Sequence, residues 1–251
     1  MIISAVYKGS QEFVKGYKGS DLLFDNSTII PTQEYVTDGL MAHFSGYDNY
    51  TDGAWVDRVS GYKFTPVSTS TAPVYDETNK LYEATQFGGM RANFSTGTTF
   101  SMEFVFRDVK NMQKASSSNY ATLVGSNMSG YNQTNGVYIT KRPSAEEMAA
   151  GIRNGTSSPS YVYYPFTNFA DNGLDTISIV PGLGFFHNGV KIGDCGTSIT
   201  SGNIGLFTHY DQTNAGAYKA KGKIHAVRHY NRALTAEEVL HNYNADISIY
   251  G

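Results

Sequence analysis

The sequence predicts an all-β protein: a two-sheet antiparallel sandwich closed by one short C-terminal helix and preceded by a small β-meander. Three observations lead there. Charged residues are 16% of the 251 positions, while 26 glycines, 19 tyrosines and 14 phenylalanines fill the chain. That mixture, with charge well below the usual quarter, suits pleated strands joined by many turns. More than ten segments read as strands, against one segment with helical capping. The length allows one large core, or a large core plus a small appendage.

The first segment carries a repeat. Tyr7-Lys8-Gly9-Ser10 returns as Tyr17-Lys18-Gly19-Ser20, and strand-like runs at 2–7, 12–17 and 21–24 flank the two copies. Lys-Gly-Ser serves as a turn, so the segment reads as a three-stranded meander. About thirty residues cannot enclose a core alone. The meander must lie on its own domain, on neighbouring copies or on another protein, and its exposed edges favour docking or oligomerisation. Residues 26–34, polar and holding Pro31, read as a linker. The expected division is therefore a docking segment and linker at 1–33 and a sandwich domain at 34–251.

Within the main domain the predicted strands come in order at 39–44, 81–87, 100–107, 121–126, 136–140, 161–164, 176–180, 204–209 and 224–230. Gly88-Gly89 marks a turn or bulge. At 100–107 the alternation is clear: Met102, Phe104 and Phe106 face one way, and Glu103, Val105 and Arg107 the other. Residues 144–151 admit two readings, a helix capped by Ser144 and Glu147 or a strand, with strand preferred from Met148 onward. Asn188-Gly189 suits a type I′ turn, so 184–192 is a hairpin. In the last strand Val227 and His229 share one face, Arg228 and Tyr230 the other. Thr235 and Glu238 then form a capping box that opens a helix over 235–244.

These segments also carry a family resemblance. LYEATQFGG, TTFSMEFVFR, GFFHNGVKI, GNIGLF and GKIHAVRHYNRALTAEEVL stand in the order and spacing of laminin-G-like domains. About residues 35–246 thus resemble a laminin-G-like, concanavalin A-like jelly roll of the lectin and glucanase type. Separately, VYKGSQEFVKGYKGSDLLF is similar to the opening of bacteriophage and prophage tail or appendage proteins. The first resemblance implies a binding surface, and the second a virion part assembled in the host cytoplasm. The start MIISAVYKGS, with no basic region ahead of a long apolar stretch, agrees with assembly without secretory export.

Several chemistries are expected to be absent. A net charge of -3 argues against a nucleic-acid partner, and no apolar run reaches the twenty or so residues that span a bilayer. The single cysteine, Cys195, forms no internal disulfide and reads as a small buried or turn residue. His225 and His229 would sit about 13 Å apart on a strand, too far to share a metal, and read as surface or half-buried side chains. Glucanases of this architecture set two carboxylates on one strand face, Glu-x-Asp-x-x-Glu, about 5–5.5 Å apart for retention. Here Glu103 shares its face with Val105 and Arg107, and Asp76-Glu77 point to opposite faces, so no enzymatic activity is expected. No nucleophile elbow, zinc-binding helix or phosphate loop is present.

Sugar binding is the chemistry the composition favours. Saccharides offer apolar C–H faces, so a site needs exposed rings together with amide or carboxylate groups for the hydroxyls. Two regions supply both: Tyr47, Asp48, Asn49, Tyr50 and Trp55, and Tyr131, Asn132 and Gln133 with Tyr161, Tyr163 and Tyr164. The resemblance adds calcium, which relatives hold at the sandwich rim. Asp48, Asn49 and Asp52 could supply its oxygens, although the loop reads first as a solvated turn. The expected protein is a phage-type appendage or decoration protein adhering to bacterial surface polysaccharide. It would be homo-oligomeric and joined to other virion proteins through residues 1–33. The alternatives are a purely structural virion component and, further off, a polysaccharide hydrolase.

Overall fold

The computed structural model describes residues 6–8, 11–13, 15–18, 21–25, 34–47, 53–114, 120–126, 136–142, 146–153, 160–197, 202–210 and 219–251, the first four groups by backbone alone. The fold is an all-β sandwich of two large antiparallel sheets with one C-terminal helix, in agreement with the jelly-roll expectation. In the first sheet the order is Val190–Gly193, Gly184–His187, Leu174–Val180, Ser101–Arg107, Lys223–Tyr230, Leu81–Glu83 and Val74–Asp76. Leu40–Ser45 also pairs with Lys223–Tyr230. In the second the order is Ser160–Pro165, Glu147–Arg153, Gly136–Lys141, Ala121–Gly125, Asn203–Leu206, Met90–Ser95, Lys63–Pro66 and Trp55–Val56.

The alternation of each strand decides which side chains meet between the sheets. Met102, Phe104, Phe106, Ile177, Ile179 and Val227 of the first sheet join Met90, Val124, Ile139, Met148 and Ile152 of the second in one continuous core. The opposite face of the first sheet is not open to water. Helix Ala236–Tyr250 lies across it, and Val105, Ala226 and Tyr250, like Phe186, Tyr230 and Val239, pack between sheet and helix. Ser101–Arg107 is therefore buried on both faces along nearly its whole length.

The capping box forms as the sequence requires: Thr235 Oγ1 accepts from the Glu238 amide at 3.2 Å, and Glu238 Oε2 accepts from the Thr235 amide at 2.8 Å. The helix runs to Tyr250, six residues past the predicted end. Its last turns bury Ala245, Asp246 and Tyr250 against the sheet, so tertiary contact extends it. Asn188 and Gly189 take φ of 52° and 76°, the two positive values a type I′ turn needs. The ambiguous stretch is a strand, Glu147–Arg153.

Two expectations are corrected. Among the described residues the opening segment shows four short strands where three were predicted, in two ladders, Val6–Lys8 with Gln11–Phe13 and Lys15–Lys18 with Asp21–Asp25. His225 and His229 are buried, not surface or half-buried, and face opposite sides of their strand. The register with Ser101–Arg107 slips between Ala226 and Ile224, so His225 is an extra residue in a bulge and turns toward Tyr250 on the helix side. His229 stacks on Phe94 inside the core.

Candidate functional site

The outward face of the second sheet carries the exposed rings. Strand Ser160–Pro165 is the edge of that sheet, and its side chains alternate as a strand with one wet face must. Val162 and Tyr164 turn inward, where Tyr164 meets Phe169 and His187 edge-on. Tyr161 and Tyr163 turn outward and are 45% and 40% exposed, far more than tyrosines used as packing. Their ring centroids are 4.8 Å apart at 49°, so they form one continuous ledge.

The register explains why this ledge is open. Tyr163 stands opposite Ala149 and Tyr161 opposite Gly151 on strand Glu147–Arg153, so small residues lie beside the rings. Gly151 in turn stands opposite Tyr138 on strand Gly136–Lys141, and a Cβ at Gly151 would run into the Tyr138 ring. Tyr138, Gly151 and Tyr161 thus make one transverse row, with a glycine letting an aromatic side chain lie flat across the sheet. Past Tyr138 the row reaches Gly125, over which His209 lies, held by Thr122 at 3.0 Å.

Polar groups frame the ledge. The Arg142 guanidinium sits 4.1 Å from the centre of the Tyr163 ring, a cation–π contact. Arg142 Nη1 donates to Glu147 Oε2 at 2.6 Å, and that bond holds the guanidinium pKa above its ordinary value. A tilted pair of exposed rings beside a fixed carboxylate–guanidinium pair matches what a saccharide presents, apolar C–H faces edged by hydroxyls.

The other predicted site residues fare differently. Trp55 is corrected from sugar platform to core: it is fully buried, its ring 4.5 Å from Tyr82, and its indole N–H donates to the Ser45 carbonyl at 3.0 Å. Tyr47 is corrected too. It is half-buried, packed 5.7 Å from Tyr250, and its hydroxyl is committed to the Ile249 carbonyl at 3.1 Å. Asp48, Asn49, Tyr50 and Asp52, hence the whole proposed calcium loop, lie outside the described residues, as do Tyr131, Asn132 and Gln133. Among the described residues no cluster of three His, Cys, Asp or Glu side chains is placed to hold a metal. Cys195 is buried, and burial pushes its thiol pKa up to about 12. Tyr138 and Arg142 were not singled out from sequence. The alternation of Gly136–Lys141 could have placed Tyr138 outward, but nothing local links Arg142 to Tyr163.

The architecture is an all-β jelly-roll sandwich with exposed rings on one sheet face. No protein-family model matches the sequence, and no curated protein does. Solved structures share the fold. Trypanosoma rangeli sialidase in complex with sialic acid superposes with a TM-score of 0.59 at 10% identity, over 89% of this chain and 34% of that one. The ligand binding domain of botulinum neurotoxin serotype D, in complex with N-acetylneuraminic acid, gives 0.57 at 14% identity over 84% and 52%. The botulinum neurotoxin type C structure, reported with cell entry dependent on two ganglioside molecules, gives 0.52 at 12% over 82% and 51%. The chain therefore spans about a third of the sialidase chain and half of the neurotoxin chains. At such identities the likeness is one of fold. The expectation of no enzyme is corrected to this extent: the structures that share the fold include an enzyme, Trypanosoma rangeli sialidase, one of them as a covalent intermediate, so the fold does not argue against catalysis.

Proposed function

We propose that the chain is a glycan-binding sandwich module that attaches a phage-type particle to polysaccharide on a bacterial host surface. The observation that carries the reading is the exposed Tyr161–Tyr163 ledge, framed by Arg142 and Glu147. Two tyrosines side by side, 45% and 40% exposed, keep hydrophobic area in water, and a sugar face would cover it. The shared fold supports the reading, since the sialidase and the neurotoxin ligand binding domain that share it over part of their chains were each solved in complex with a sialic acid.

The placement on a virion rests on the resemblance of residues 6–24 to phage appendage openings, and residues 1–33 are then the docking and oligomerisation segment. Several copies on one particle would give avidity, so a weak single site suffices.

The test is binding of the purified chain to surface polysaccharides extracted from candidate host bacteria, with product analysis of the same samples. Saturable binding to intact polymer, lost in a Tyr161→Ala/Tyr163→Ala double variant, is the expected result. Shortened oligosaccharide in the mixture would replace adhesion with hydrolysis. A multimeric form that binds no polysaccharide would overturn the proposal.

A further inference from the structure

A second feature lies away from the aromatic row, where strands Leu81–Glu83, Ser101–Arg107 and Lys223–Tyr230 end beside the short ribbon of Gln113–Lys114 and Ala220–Lys221. A cleft of about 360 Å³ opens there, within the size range of small-ligand sites. Its wall is mostly polar, with the buried Ala84 and Met112 behind it. Around them stand three cations, Arg107, Lys221 and Lys223, and two carboxylates, Glu83 and Asp108.

The two carboxylates leave the cations incompletely answered. Asp108 holds a left-handed backbone, φ 60° and ψ 42°, and its Oδ1 accepts from the Asn111 amide at 2.8 Å and the Asn172 N–H at 3.0 Å. It therefore serves to shape the loop. Glu83 approaches Lys223 Nζ only to 3.9 Å. Arg107 donates to two carbonyl oxygens, Tyr250 at 2.9 Å and Asn172 at 3.2 Å, which fix its guanidinium without neutralising it. Lys221 Nζ lies 5.0 Å from the Phe87 ring. Among the lining residues the cations thus outnumber the carboxylates three to two, with Asp76 also within electrostatic reach of Lys223, in a chain whose net charge is -3.

We propose that this cleft is a second saccharide subsite, selective for a sugar unit that carries a carboxylate. A monoanion meets the cations that outnumber the carboxylates, and the side-chain amides of Asn111 and Gln113 with the polar wall suit the hydroxyls of a sugar. The inference rests on the glycan reading above and adds to it the class of sugar. A phosphate monoester, nearer two negative charges, fits the single excess less well.

The test compares an oligosaccharide of the host polymer that contains uronic acid with the same oligosaccharide after its carboxyls are reduced to alcohols. Affinities are measured by calorimetry for the full chain and for a Lys221→Gln/Lys223→Gln variant. Both lysines are partly exposed, so the variant keeps the fold. The expected result is a preference of about tenfold for the acidic form in the natural chain, shrinking at high salt and absent in the variant. Equal affinity for both forms overturns the inference and leaves the glycan reading standing. A preference that survives in the variant also overturns it, placing the anion elsewhere. Failure to bind either form overturns both.

Discussion

Arg228 reaches Asp246 through two parallel hydrogen bonds of 2.8 Å each, and both side chains are wholly out of contact with solvent. The pair joins strand Lys223–Tyr230 to the C-terminal helix. Arg228 Nε also donates to Glu103 Oε2 at 2.8 Å, and the Asn242 amide donates to the same oxygen at 2.8 Å. Thr176 and Ser178 hydroxyls donate to Asp246 and Glu103, and the Tyr35 ring covers the guanidinium at 4.1 Å. One cation between two carboxylates, each with further hydrogen bonds, is a satisfied buried network. Burial itself pushes the Glu103 pKa up, against the pull of Arg228.

Removing the cation should therefore be severe. Arg228→Met leaves Glu103 and Asp246 buried without their shared cation. It is expected to cost about 3–5 kcal/mol, because a buried charge left unpaired loses its whole compensation. The check is the urea midpoint of the variant. A loss under about 1 kcal/mol would mean the network is not formed as described.

Acid should destabilise the fold. Burial lowers the pKa of His43 to about 3 and those of His209 and His225 to about 4. Each ring is held neutral in the fold but takes a proton near pH 6.5 when unfolded. Their contribution is present above about pH 6.5 and is lost as pH falls toward 4, at about 1.4 kcal/mol per unit for each group. His229 is likewise lowered by burial, and Glu103 acts with the opposite sign, one proton against four. Urea titrations at pH 7 and pH 5 should show a clear drop in stability at the lower value, and His209→Gln should reduce the difference.

The aromatic ledge and the buried tryptophan should separate binding from stability. Tyr161→Ala and Tyr163→Ala should each weaken glycan binding about tenfold, while stability changes by roughly 0.5 kcal/mol or less, as expected of exposed positions. Trp55→Ala should cost about 3–5 kcal/mol of stability through the cavity it leaves. Parallel calorimetry and thermal unfolding of the three variants decide this. A Tyr163 variant that unfolds early with unchanged binding would make the ledge a packing feature.

The helix cap offers a smaller effect. Thr235→Ala removes the acceptor for the Glu238 amide and should cost about 1 kcal/mol. Glu238→Ala should cost more, since Glu238 also takes two hydrogen bonds from Arg232 at 2.7 and 2.8 Å. Thermal midpoints in the order wild type, Thr235→Ala, Glu238→Ala are the expected outcome.

Much of the architecture was legible because it is written locally. The two-residue period of Ser101–Arg107, the Asn188-Gly189 turn and the Thr235–Glu238 box each specify their own geometry through near neighbours. Met90–Ser95 was missed although Met90, Ala92 and Phe94 alternate inward, because Arg91 and Asn93 between them made the run look polar. Trp55 was misread because composition cannot tell a buried ring from an exposed one. Its neighbours Phe44 and Tyr82 come from distant parts of the chain.

By itself, then, the sequence determined the strand periods, the turn types and the helix start, which depend on residues within about four positions of one another. Only the tertiary structure decided that Glu103 and Asp246 share one arginine, that Tyr161 is open because Gly151 lies beside it, and that Arg107, Lys221 and Lys223 meet in one cleft. Those outcomes need register and sheet order. Cross-strand neighbours stand tens of residues apart in the chain, and which face is buried follows from what packs on it.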